Sequence, residues 1–202
     1  MEDRVVAAAK SGNLAELAEL LGQGLSFDRT DEFGWTPLIW AAAVGFADVV
    51  RVLLEQRVNI EARDRYGATA LMKAARRGFA DVVRILIEYD ADINAKDDSG
   101  WTSLMRAARS GHEEALKVLL GSGVNTEATD QYGATALIIA AAEGHGSSVK
   151  ELLEHGADIN AKDKNGWTAS MWATSTRHSE VAELLESFKG KSTGLAKTAA
   201  HM

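Results

Sequence analysis

The chain contains no cysteine. That excludes disulfides, thiolate metal sites and cysteine nucleophiles, and it fits a reducing compartment. No apolar run approaches the length of a transmembrane helix. The start, Met-Glu-Asp-Arg-Val-Val-Ala-Ala-Ala-Lys, carries acids early and only a short apolar stretch, so it does not read as a secretory signal. Positive charge is in deficit too. A net charge of −7 argues against general attraction to nucleic acid. No carboxylate pair, serine nucleophile constellation or metal-ligand spacing recurs, and there is no phosphate-binding glycine-rich loop. These absences point to a cytoplasmic, non-enzymatic chain with no cofactor, no metal and no membrane partner.

What the chain does have is a period. Gly-Trp-Thr-Pro-Leu starts at Gly34 and returns, altered, from Gly67, Gly100, Gly133 and Gly166, a constant step of 33 residues. Such a period marks a solenoid of stacked repeats. Each unit then contacts only its neighbours, and the usual product is an extended concave surface, not a catalytic pocket. Hydrophobic residues make up 46% of the 202, enough for a continuous core, and much of that fraction is alanine, which suits closely approaching helices.

The unit Asp64 to Lys96 shows how one repeat works. Asp64-Arg65-Tyr66-Gly67 is turn chemistry. Thr69 is placed to cap a first helix from Ala70 to about Arg77, with Leu71, Ala74 and Ala75 on its apolar face. Gly78 ends that helix. A second helix is expected from about Ala80 to Tyr89, burying Val82, Val83, Leu86 and Ile85, with Asp81, Arg84 and Glu88 outside. Asp90-Ala91-Asp92-Ile93-Asn94-Ala95-Lys96 leads to the next turn. Arg57 and Asp90 occupy helix-end positions where a glycine is expected, so local strain is predicted there.

These residues resemble the ankyrin repeat. A Gly-x-Thr-x-Leu opening, an Ala-Ala pair, a mid-repeat glycine, a Val-x-x-Leu-Leu second helix and a Gly-Ala-Asp-Ile-Asn-Ala close recur together. The resemblance covers about residues 1–189 and implies an all-α solenoid of antiparallel helix pairs with β-hairpin-like loops. On this reading residues 1–30 are an N-terminal cap. Internal repeats occupy 31–63, 64–96, 97–129 and 130–162, a C-terminal cap 163–189, and a disordered tail 190–202. The last repeat is degenerate, with Ser170 for the core leucine and Arg177 for the mid-repeat glycine. The family's proline survives only as Pro37. Its usual histidine is replaced by Ile39, Met72, Met105, Ile138 and Met171, so apolar packing must substitute for a hydrogen-bond network. His112 and His145 follow mid-repeat glycines, where the family often has histidine, and are read as structural.

The resemblance also implies protein binding through loop tips and inner helices. Residues flanking the loop glycine are expected at the tips: Phe33, Trp35, Tyr66, Trp101, Tyr132 and Trp167. Aromatic side chains there offer large contact area at low entropic cost. On each first helix, positions four, seven and eight after the loop threonine share a face. They bring Trp40, Lys73, Arg76, Arg77, Arg106 and Arg109 to the groove, basic in its middle and apolar or aromatic at its ends. Two readings stand for the basic strip: a partner with an acidic segment, or pairing with carboxylates of the chain's own loops. Nucleic acid is disfavoured because the cluster is small and the rest of the chain would repel phosphate. Asn94 and Asn160, each with a leucine eight residues before, resemble sites that some ankyrin proteins offer to asparaginyl hydroxylases; alternatively each bonds within its own turn.

A second period overlies the first. Repeats one and three share Trp35 and Trp101; repeats two and four share Tyr66 and Tyr132, Ala68 and Ala134. This suggests duplication of a two-repeat unit. The function read from the sequence is rigid protein–protein recognition by a monomer, although tip aromatics could also pair two copies. Two alternatives are an inert or engineered scaffold and a bacterial toxin-neutralising or effector-type adaptor.

Overall fold

The structure, a computed structural model, describes residues 4–199, with side chains described over 4–189. Twelve helices follow one another: α1 Arg4–Ser11, α2 Leu14–Gly22, α3 Pro37–Val44, α4 Ala47–Glu55, α5 Ala70–Arg77, α6 Ala80–Glu88, α7 Ser103–Ser110, α8 Glu113–Gly121, α9 Ala136–Ala142, α10 Gly146–Glu154, α11 Ala169–Ser175 and α12 Ser179–Ala199. Among the described residues there is no strand. The tail expected over 190–202 lies outside the residues whose side chains are described.

The order of packing is that of a solenoid. Each odd-numbered helix packs against the next odd-numbered one from α1 to α11, and α4, α6, α8, α10 and α12 form a second row. One contiguous cluster of buried apolar residues runs from Val5 to Leu185. Alanine pairs such as Ala74–Ala75 and Ala107–Ala108 are fully buried between rows, where a larger side chain would force the helices apart.

Local chemistry sets each helix start. Thr36, Thr69, Thr102, Thr135 and Thr168 accept a hydrogen bond from the backbone N–H three residues on, at 3.2 to 3.5 Å. The positions that lack the family's histidine pack as expected in four repeats. Ile39, Met72, Met105 and Ile138 are buried, whereas Met171, in the last repeat, is exposed. Arg57, Asp90 and Arg177 adopt positive φ of 56°, 64° and 65°, conformations that glycine would take at less cost.

The second helices begin against the preceding repeat. Gly111, at φ 66°, leaves room for the ring of His145, and a Cβ built on it would lie 2.7 Å from His145 Nδ1. His145 Nε2 lies 2.9 Å from the Arg109 carbonyl oxygen. His112 stands over Gly78 in the same way. Both histidines therefore act as spacers between repeats.

A side-chain ladder fixes the step between repeats. Asp28 Oδ1, Glu61 Oε1, Asn94 Oδ1 and Glu127 Oε1 accept the backbone N–H groups of Asn59, Asp92, Asn125 and Asp158, at 2.8 to 2.9 Å. Each acceptor sits 33 residues after the last, and each donor is 31 residues further along the chain. Asn94 is thus committed to the next repeat and not to its own turn.

Candidate functional site

The loops that frame the groove are built on one aspartate per repeat. Asp64 Oδ1 accepts the N–H groups of Tyr66 and Ala68 at 2.9 Å, closing a tight turn. The Asp64 N–H donates to the Ala68 carbonyl, and the Arg65 N–H donates to the Phe33 carbonyl of the preceding loop. Asp31, Asp97, Asp130 and Asp163 close their own loops through Oδ1 in the same manner. The described loops are hairpin-like without an assigned strand: the aspartate carboxylate and a few backbone carbonyls share the acceptor role.

In four of the five repeats the second oxygen of the aspartate reaches the residue nine positions on, at the floor of the groove. Trp40 Nε1 donates to Asp31 Oδ2 at 2.8 Å, and Trp172 Nε1 to Asp163 Oδ2 at 2.9 Å. Lys73 Nζ lies 2.5 Å from Asp64 Oδ2, and Arg106 pairs with Asp97. In the fourth repeat that position is Ile139, which has no donor. Asp130 keeps its two loop bonds through Oδ1, and its Oδ2 has no partner among the described residues. The sequence reading took these aspartates as turn residues only. The signal it missed was the aspartate-to-donor spacing of nine, kept in four repeats and broken at Ile139.

The basic strip is consequently thinner than its residue count. Lys73 and Arg106 are neutralised by loop carboxylates, and Arg109 Nε lies 3.3 Å from Glu143 Oε1. Arg76 and Arg77 are exposed, and no carboxylate among the described residues pairs with them. Arg76, Arg106, Arg109 and Ser110 line a polar concavity of about 250 Å³.

The tip aromatics divide by their side of the loop glycine. Phe33, Tyr66 and Tyr132, which precede it, are 55%, 76% and 64% exposed. Trp35 and Trp101, which follow it, are half-buried and pack on the core, whereas Trp167, also after its glycine, is 38% exposed. Trp35 lies against Trp40 with ring centroids 4.5 Å apart, and Trp167 against Trp172 at 5.1 Å. Lys73 Nζ stands 4.6 Å over the Trp35 ring, and the Arg106 guanidinium 4.9 Å over Trp101. Each cation is held by a carboxylate on one side and an indole on the other.

Burial pushes the Asp64 carboxyl up, but the Lys73 ammonium and the Ala68 and Tyr66 amides outweigh it and hold the pKa below its ordinary value. For Asp163, burial is likewise outweighed by the Trp167 amide, the Trp172 indole and Asn165, and the pKa is again lowered.

The family pattern described as "Ankyrin repeats (3 copies)" matches residues 5–97, 64–130 and 104–193. The chain belongs to the ankyrin repeat family, whose members are generally protein-interaction modules and typically non-catalytic. Among curated proteins, "Ankyrin repeat, SAM and basic leucine zipper domain-containing protein 1" of Colobus guereza is 50% identical over 42 residues, covering 21% of this chain and 9% of that protein. Its counterpart in Equus caballus is 48% identical over 46 residues, covering 23% of this chain and 10% of that protein. The chain thus spans about a tenth of the length of these relatives. No helix among the described residues is long and apolar enough to cross a membrane.

Proposed function

We propose that residues 1–189 act as one protein-binding module whose groove seats an acidic segment of a partner protein against Arg76, Arg77 and Arg109. The observation that carries this reading is the polar concavity lined by Arg76, Arg106 and Arg109 beside the unpaired Arg77. Guanidinium groups there can take carboxylates in bidentate pairs without first breaking a buried bond. The exposed rings of Phe33, Tyr66, Tyr132 and Trp167 add apolar area at the tips, and Trp35, Trp40 and Trp101 stiffen the surface behind them. Because stacked helices and loop aspartates hold these groups in place, little ordering entropy is lost on association. The module works as an intracellular monomer, with the tip rings spent on the partner and not on a second copy.

Affinity capture from a lysate of the source cells, repeated across salt concentrations, tests the surface. The Arg76→Glu, Arg109→Glu double variant is expected to weaken capture by about tenfold or more and to flatten its salt dependence. The outward-facing Arg51→Glu, Arg84→Glu pair is expected to do neither. Equal effects from the two pairs would overturn the groove assignment.

A further inference from the structure

A second cleft of about 390 Å³ opens beside the basic concavity, between the third and fifth repeats. Trp101 comes from one side, Trp172 from the other, and Asp130, Tyr132 and Ile139 from the repeat between them. Three carboxylates, Asp130, Glu143 and Asp163, line it against one arginine, Arg109. Glu143 is already paired with Arg109, and Asp163 Oδ2 with the Trp172 indole. Asp130 is 8% exposed, and its Oδ2 is the acceptor left without a donor.

The chain itself shows what such a position holds when filled. The second and fourth repeats share the loop Tyr-Gly-Ala-Thr-Ala-Leu and the close Ala-Asp-Ile-Asn-Ala-Lys, and each is preceded by a repeat with a tip tryptophan. In the second repeat Lys73 lies between Asp64 Oδ2, at 2.5 Å, and the ring of Trp35 in the repeat before, at 4.6 Å. In the fourth, Asp130 and Trp101 keep the same sequence spacing, Ile139 replaces the lysine, and the cation over the Trp101 ring on the cleft side is the Arg109 guanidinium, 5.3 Å from its centroid. Asp130 lines the open cleft, and its unpaired carboxylate oxygen can take a cation from outside there. We infer that this cleft receives a basic side chain of the partner, a lysine ammonium bound between Asp130 Oδ2 and the indoles of Trp101 and Trp172. This rests on the protein-binding reading of the groove and deepens it: the partner is acidic opposite the second and third repeats and basic opposite the fourth.

The test needs no partner protein. Nα-acetyl-lysine methylamide is titrated into the full chain and followed by the indole N–H resonances of Trp101 and Trp172 and the amides of Tyr132 and Ala134, which bond Asp130. A saturable shift in the millimolar range is expected. Nα-acetyl-norleucine methylamide, which lacks the charge, is expected to leave these signals in place. Ile139→Lys supplies the missing ammonium from within, as Lys73 does, and is expected to weaken the response by at least about tenfold. Asp130→Asn keeps the loop acceptor and removes the charge, and the same loss is expected, so either variant reports if the other fails to fold. A response of equal size to norleucine, an undiminished response in a folded variant, or no saturable response overturns the inference. Failure of Arg76→Glu, Arg109→Glu to affect partner capture would count against the acidic-segment reading alone and leave this titration unchanged.

Discussion

Single residues carry strain that the repeat pattern makes visible. Arg57, exposed and at φ 56°, ends α4 in a conformation that costs a side-chain-bearing residue about 1–2 kcal/mol. Glycine avoids that cost and gives back part of it as unfolded-state entropy. Arg57→Gly is therefore expected to stabilise the chain by about 0.5–1 kcal/mol, read as a higher urea midpoint at unchanged slope. The control is Arg84→Gly inside α6, expected to destabilise by about 1 kcal/mol. Arg57 and Asp90 were legible from sequence because they break a spacing that glycine keeps elsewhere. Asp130 was not, because its missing partner is a donor nine residues away, and no local pattern marks an absence.

At the scale of the helix pair, contacts between repeats decide stability. The bounds of α5 and the start of α6 fell where the spacing put them, since threonine caps and left-handed glycines are local devices. What the sequence left open was which partner each side chain chooses. Lys73 and Arg106 looked like groove cations, and each is bound to the carboxylate of its own loop. Trp35 and Trp101 looked like tips, and each packs inward on the core, whereas Trp167 at the last loop stays exposed. Gly111 tests the spacer role of His145. Gly111→Ala forces a Cβ into a left-handed position against the imidazole and is expected to lower stability by about 2 kcal/mol, measured by urea unfolding. His145→Ala should relieve much of that loss in a double-mutant cycle; strictly additive effects would show that the ring is not the obstacle.

For the whole molecule, the loop aspartates couple stability to acid. The folded pKa values of Asp64 and Asp163 lie below their ordinary 3.8. The unfolded chain therefore binds more protons as pH falls, so this stabilisation is complete above about pH 4–5 and is lost below it, through the folded values. Urea midpoints are expected to be level between about pH 7 and pH 5 and to drop steeply toward pH 3, less steeply in Asp64→Asn. A midpoint unchanged down to pH 3 would show that the loops do not depend on these charges.

The joints between repeats, formed by Asp28, Glu61, Asn94 and Glu127, also bear on how such a chain changes over time. Every joint takes its acceptor from a side chain and its donor from the main chain of the following unit. The donor half is therefore independent of sequence, and three residue types already serve as the acceptor half. Units can be copied or lost without inventing a new connection, and the natural cassette is a pair, because tryptophan-bearing and tyrosine-bearing loops alternate. Length is then free to vary by inheritance while the joint is conserved. Each added pair would lengthen the readable stretch of partner and leave the rules of assembly untouched.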